Sequence, residues 1–218
     1  VQEAAIICEA VSCAETRTGS SMRDGALFRH VSRNLLLPRM AATSQNGGRL
    51  GLASSSRQNT MVSRHMAALV NAYARSQVWD EVLFHRVSQT VRALKAGDIP
   101  TQDIAVLVNA FARASTRQGS TFRDGALFIH LSRIARAKAA HEFRARDIAK
   151  IVNALARVGV WDESLFRKMS TVVRSMSAAS LPLRDAARIV CAFTLAQRRE
   201  GSRLRDGSLF RHVSGVSV

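Results

Sequence analysis

The sequence is short of acid, of lysine and of tyrosine. It holds 16 Asp plus Glu against 32 Lys plus Arg, only four of the basic residues are lysines, and there is a single tyrosine, Tyr73. The net charge of +16 repels itself until something acidic offsets it. Nucleic acid is the first candidate partner and an anionic membrane surface the second. The arginine bias favours nucleic acid, because the guanidinium fork grips phosphate and stacks on bases. With so few aromatic side chains, stacking on RNA would fall mainly to arginine.

Glycine and proline are also scarce, at 12 and 3 in 218 residues, which excludes collagen-like sequence and wholesale disorder. No uncharged apolar run approaches the length that spans a bilayer. The three cysteines, Cys8, Cys13 and Cys191, are odd in number and form no CxxC pair. That argues against a disulfide framework and for a reducing compartment. A chain opening at Val1 is compatible with a targeting peptide already removed, so an organelle stays open as its location.

What the sequence has in abundance is itself. RDGALFRHVS at 23–32 returns as RDGALFIHLS at 123–132 and RDGSLFRHVS at 205–214. LVNAYAR at 69–75 returns as LVNAFAR at 107–113 and IVNALAR at 151–157, with IVCAFTL at 189–195 in the same place. VWDEVLF at 78–84 returns as VWDESLF at 160–166. Equivalent residues Phe28, Phe84, Phe128, Phe166 and Phe210 are spaced by 56, 44, 38 and 44. Repeats of 38 and 44 residues therefore alternate, and the 56 is a 38 with eighteen residues added. The addition falls in 38–60, a Ser-, Gly-, Asn- and Gln-rich stretch without apolar period that reads as a mobile surface loop.

Both halves of a repeat have helical period. Ile104, Leu107, Val108 and Phe111 form one i, i+3, i+4, i+7 stripe, and Leu127, Phe128, Leu131, Ile134 and Ala135 form another. Asp80, Asp124, Asp162 and Asp206 sit where the N-cap of the second helix belongs. Trp79 and Trp161, each just before that Asp, face Phe84 and Phe166 in a hydrophobic staple. The expected fold is all-α, a right-handed α-solenoid of about five helical hairpins. Residues 1–37 form the first hairpin, 38–60 the insertion, and 61–218 four further hairpins of the same array. Neither end has a polar capping helix, so the ends are expected to continue into further chain or to be covered by partners.

The pattern DIaxLVNAxAR…WDExLFxxxSxxVR resembles the helical-hairpin repeats of organellar RNA-binding proteins. These are the heptatricopeptide and octotricopeptide repeats and the helical arrays that precede RAP domains in FAST-kinase-like proteins. The resemblance covers about 60–214 well and 4–37 more loosely. The Asn-Ala-x-Ala-Arg and Leu-Phe elements are closest to the heptatricopeptide type. The Pro-Pro-Pro-Glu-Trp element and a RAP domain are absent, and the 38/44 alternation is a departure. The resemblance implies organellar gene expression, in RNA maturation, RNA stabilisation or a divergent mitochondrial ribosome.

Three i, i+4 pairs carry the candidate function: Asn71/Arg75, Asn109/Arg113 and Asn153/Arg157, each on one face of a first helix. Stacked repeats would align them into a ladder. In one reading Arg binds phosphate or stacks on a base while Asn meets a base edge or a 2′-hydroxyl. In the other, Asn ties neighbouring repeats together and Arg is merely solvated. Glu9/Cys13 and Cys191/Leu195 break the ladder at both ends, which argues against a base-by-base code. The six-residue insertions add basic loops, with Arg17, then Arg117 and Arg123, then Arg198, Arg199, Arg203 and Arg205. Arg144 and Arg146 extend a basic edge. A second row flanks the buried Phe: Arg29/His30, His85/Arg86, His130, Arg167/Lys168 and Arg211/His212. It is expected to face solvent or the next repeat. Ser32, Ser88, Ser132, Ser170 and Ser214 follow each Phe by four residues, a place for close helix approach or a bond to the i−4 carbonyl.

Nucleotide-loop, dinucleotide, zincin and nucleophile-elbow motifs are all missing, no carboxylate pair has catalytic spacing, and no cofactor or metal site is indicated. The sequence therefore points to a non-catalytic RNA-binding protein of the mitochondrial matrix. A structural ribosomal subunit contacting rRNA and neighbouring proteins is the most concrete form. A free RNA maturation or stabilisation factor, and a scaffold in an organellar membrane complex, are the alternatives.

Overall fold

The computed structural model describes His30 and residues 55–118, 120, 122–199, 204 and 206–216. Among these residues there are eight α-helices and no strand. They are α1 (Ser55–Arg75), α2 (Glu81–Ala93), α3 (Thr101–Thr116), α4 (Gly125–Ala137), α5 (Ala145–Val158), α6 (Glu163–Arg174), α7 (Leu183–Arg198) and α8 (Gly207–Val216). Helix α1 starts earlier than expected: residues 55–60, read from sequence as the end of a surface loop, are helical. The rest of that loop and the first expected hairpin lie outside the described residues.

The chain divides into two compact units, residues 1–103 and 104–218. In the first, α1 packs on α2 and on a 3-10 turn, Ala96–Asp98. Its core is Leu69, Val70, Tyr73, Leu83, Phe84, Val87 and Val91, each at most 2% exposed. In the second, α5 packs on α7 and on α6, α6 also packs on α4 and on α8, and α7 meets α8. In this unit the first helix α5 thus lies on the first helix α7, and the second helices α4, α6 and α8 lie on one another in turn. Both predicted apolar stripes are buried: Ile104, Leu107, Val108 and Phe111 on α3, and Leu127, Phe128, Leu131, Ile134 and Ala135 on α4.

Each of the four described second helices begins as its sequence predicts. Leu83 N–H donates to Asp80 at 3.0 Å, Leu127 to Asp124 at 2.9 Å, Leu165 to Asp162 at 3.1 Å and Leu209 to Asp206 at 3.0 Å. Each Asp satisfies a backbone donor that the helix itself leaves orphaned. The staples form too, with Trp79 on Phe84 and Trp161 on Phe166, both at 5.7 Å between ring centroids. Phe166 then meets Phe193 of α7 edge-on at 5.2 Å, which ties the hairpin to the next first helix. Between α3 and α4 no Trp is present, and Phe122 packs on Phe111 at 5.8 Å instead. Helix α5 ends at Gly159, whose φ of 71° is a left-handed cap conformation suited to glycine.

Second helices are linked to one another through the same Asp caps. Ser132 on α4 donates to the free oxygen of Asp162 at 2.6 Å, and Arg136 Nε lies 3.2 Å from that oxygen. Ser170 and Arg174 on α6 act on the Asp206 carboxyl from corresponding positions, without closing the hydrogen bond and ion pair that Ser132 and Arg136 make. The recurrent serine was expected to allow close approach or to bond its own helix. Ser214 does bond its own helix, to the Phe210 carbonyl at 2.9 Å, but Ser132 serves the next helix start.

The Asp206 carboxyl shows the effect of that link. Burial alone would raise it. The Ser170 hydroxyl, the Leu209 N–H, the Ser208 hydroxyl and the Arg174 charge outweigh burial and hold it below its ordinary value of 3.8. The Ser170 hydroxyl does so while falling short of full hydrogen-bond geometry. A carboxyl depressed in the folded state adds stability above its ordinary value, and loses it as pH falls through the lower, folded value. In urea titrations, the stability gap between wild type and Asp206→Asn should therefore be widest near neutrality and close as pH drops below 3.8. A gap that stays constant down to that range would contradict the assignment.

Candidate functional site

The ladder residues sit where helical spacing puts them. Asn71, Asn109 and Asn153 are half-exposed, and Arg75, Arg113 and Arg157, one turn later, are exposed. Among the described residues no hydrogen bond engages the three Asn amides, so the reading in which they tie repeats together gains nothing from the structure. Cys191 and Leu195 hold the same positions on α7 and are exposed as well, Leu195 by 50%.

Arg113 and Arg157 come together. The Arg157 guanidinium is held below its ordinary value, first by burial and then by the charge of Arg113. Its Nη2 donates to Thr116 Oγ1 at 2.7 Å, across from α5 to α3. Among the described residues no carboxylate forms an ion pair with either arginine.

The stripe extends past the residues the repeats single out. On α5 the positions stepping back from Arg157 are Asn153, Lys150 and Arg146, and on α7 those stepping back from Leu195 are Cys191, Arg188 and Arg184. Arg146 and Arg184 are exposed, and Lys150 and Arg188 are half-exposed. Since α5 packs on α7, these side chains make one basic face, closed at the C-terminal end of α7 by the exposed Arg198. Counting i, i+3, i+4 backward from Asn153 and Cys191 would have found them; anchoring on the repeated NAxAR string did not.

Acid on the first helices is buried. Asp103, Asp147 and Asp185 occupy the first turn of α3, α5 and α7, the helix end that favours a carboxylate, and each is at most 8% exposed. Burial pushes the Asp147 carboxyl up, against the pull of Lys150, Arg144, Arg146 and a hydrogen bond from the backbone beside Arg144. Asp103 is likewise raised by burial, against Ser63, whose hydroxyl donates to it at 2.8 Å, and Arg64. Lys150 is lowered by burial and by Arg146, while Asp147 and Asp185 oppose the shift. On α3, α5 and α7 the carboxylates are thus buried, while Arg113, Arg146, Arg157 and Arg184 face out.

The insertion arginines divide. Arg123 is a structural residue: its Nη1 reaches the Ser115 carbonyl at 2.5 Å, that of Phe122 at 2.9 Å and that of Ser120 at 3.4 Å, closing the loop after α3. Arg199 lies over the Trp161 ring at 5.6 Å. Arg117 and Arg198 are exposed. Arg203, Arg205 and Arg17 lie outside the described residues, as do Glu9, Cys13 and Arg29.

The second basic row divides as well. His30, His85, Arg86, Arg167 and Arg211 are exposed, and Arg167 pairs with Glu163 at 2.6 Å. Lys168 instead caps α4, donating to the Arg136 carbonyl at 2.6 Å and to that of Lys138, with the Phe143 ring 5.6 Å from Nζ. His130 and His212 are half-buried with an unpartnered Nε2.

Among the described residues no group of three or more His, Cys, Asp and Glu is placed to hold a metal, and no helix is long and apolar enough to cross a membrane. No protein-family model matches this chain, and no curated protein matches it.

Proposed function

We propose that this chain is a non-catalytic RNA-binding protein built as a solenoid of helical hairpins, and that it holds RNA on the exposed face of its first helices. The observation that carries this is the separation of charge. Arg113, Arg146, Arg157 and Arg184 stand exposed, while Asp103, Asp147 and Asp185 are buried in the same helices. A face so built keeps a net positive charge even with Arg188 paired to Asp185 at 3.7 Å, and it attracts polyanions. The most concrete setting we infer is a structural subunit of a mitochondrial ribosome, where basic loops and helices together meet folded rRNA and neighbouring proteins. The resemblance to organellar helical-repeat proteins and the spread of charge over helices and loops support that setting.

Binding of the full chain to single-stranded RNA, measured against salt, tests the reading. Replacing Arg75, Arg113 and Arg157 together by Ala should weaken binding and flatten the slope of log K against log salt by roughly 0.7 for each phosphate no longer neutralised. An unchanged affinity and slope would overturn the role of the ladder. Sedimentation of the endogenous protein with and without RNase tests the setting. Co-migration with a ribosomal subunit that collapses under RNase is the expected result, a light RNase-sensitive particle would mean a free RNA factor, and a heavy RNase-resistant one would mean a protein scaffold.

A further inference from the structure

We propose that Arg113 and Arg157 form a clamp for a single phosphodiester group of the RNA backbone, and that Thr116 is the residue that sets the clamp. This rests on the RNA-binding reading and adds what part of the ligand the site takes, and by which atoms.

The geometry of one hydroxyl carries the argument. Thr116 Oγ1 donates its only hydrogen to the Ala112 carbonyl at 2.8 Å, back along its own helix. A lone pair is thereby left for Arg157 Nη2, which donates to it at 2.7 Å. Thr116 has no hydrogen left for a ligand, so it is a positioning residue. Arg157 uses one of five N–H donors on Thr116 and keeps the rest for an anion. Arg113 stands three residues before Thr116, on the same face of α3. Two guanidinium groups are therefore brought near each other at the surface, one of them already fixed by a neighbouring helix. Arginines left free to move would lose rotamer freedom on binding, and the bond to Thr116 removes part of that loss in advance.

Like charges held close are unfavourable until an anion sits between them. Burial first, and the Arg113 charge second, hold the Arg157 guanidinium below its ordinary value. Among the described residues no carboxylate relieves that repulsion. A phosphodiester does, offering two non-bridging oxygens to two forks and sharing one negative charge between them. Contacts to phosphate carry no base information, so this site is blind to sequence.

The test uses the full chain and labelled 20-nucleotide oligo(U) and oligo(A), with affinity read by fluorescence anisotropy across a salt series. Replacing Arg113 and Arg157 by Ala should weaken both oligonucleotides by the same factor, about tenfold to a hundredfold. It should lower the salt slope by roughly 0.7, the value for one phosphate, and not by about twice that. Thr116→Val keeps both charges and the side-chain shape but removes the acceptor. It should weaken binding about three- to tenfold, and Thr116→Ser should restore the wild-type value. Wild-type affinity in Thr116→Val, a slope change of about 1.4, or a loss confined to one base would each overturn the clamp while leaving RNA binding intact. A wild-type chain that fails to bind either oligonucleotide would overturn the RNA reading itself. Titration with inorganic tripolyphosphate then decides the clamp alone, by whether Thr116→Val binds it more weakly than wild type does. Vesicles of phosphatidylserine form the last arm. Losses in these variants on vesicles but not on RNA would assign the site to a lipid headgroup and end the proposal.

Discussion

Truncating Phe166 to Ala should destabilise the chain by about 3–5 kcal/mol, the usual range for emptying a buried aromatic site. The ring is 1% exposed, stapled by Trp161 on one side and met edge-on by Phe193 of α7 on the other. Little around it can collapse into the space. The two contacts belong to different elements, so the loss is felt at the entry of α6 and at its junction with α7. A domain of ordinary stability has about 5–15 kcal/mol in hand, so this change alone removes a large fraction of it. Phe166→Leu keeps most of the volume and should lose less than half as much. Urea midpoints for the two variants check this, and a loss under about 1 kcal/mol for Phe166→Ala would mean the ring is not the keystone its contacts indicate. The face bearing Arg184 and Arg188 lies on α7, so Phe166→Ala should also blur RNA binding at temperatures where the chain remains folded.

The second large effect is expected at Asp162. One carboxylate oxygen accepts the Leu165 N–H at 3.1 Å, and the other accepts the Ser132 hydroxyl at 2.6 Å and lies 3.2 Å from Arg136 Nε. Asp162→Ala removes the N-cap of α6, worth about 1 kcal/mol, and leaves Ser132, 2% exposed, without its acceptor. A buried hydroxyl left unsatisfied adds about 1–3 kcal/mol, so the total should reach about 2–4 kcal/mol. Arg136 is exposed enough for its pairing to add little. Asp162→Asn preserves a capping oxygen but weakens the acceptor for Ser132, and should cost about 1 kcal/mol. The distinguishing result is a double-mutant cycle of Asp162→Asn with Ser132→Ala, which should show a coupling of at least about 0.5 kcal/mol. Strict additivity would mean that α4 does not contribute to the start of α6.

These two residues also mark how far the sequence could be read. Asp162 as a cap and Trp161/Phe166 as a staple were legible, because both depend on neighbours a few residues away. The same holds for Asp80, Asp124 and Asp206, and for the apolar stripes of α3 and α4. What was hidden is long-range. Ser132 meets Asp162 across 30 residues, and no local rule announces which of several roles a recurring serine takes. Lys168 looked like one of a row of surface charges, yet it reaches back to the end of α4, because its long stem can cover apolar surface while its ammonium finds carbonyls. Arg123 looked like a loop charge free for a ligand and is instead bound to three carbonyls. On the candidate face, the ladder was read from identical residues recurring. Arg146, Lys150, Arg184 and Arg188 lie outside the repeated string, at the i, i+3, i+4 spacing that carries the same stripe back along each helix.

The link from Ser132 to Asp162 spans 30 residues, and its counterpart from Ser170 to Asp206 spans 36, since a six-residue insertion lies within it. Both serines come to the Asp that starts the next second helix, Ser132 closing a hydrogen bond and Ser170 falling short of one, while the connecting chain differs in length. Loop closure makes such a difference cheap, with a doubling of loop length costing only about 0.6 kcal/mol. The approach of one second helix to the next is thus not dictated by the length of the connection. Loops between hairpins are thereby released to lengthen, shorten or change charge over generations without disturbing the stack, so the edge that carries them is where new binding properties can accumulate fastest.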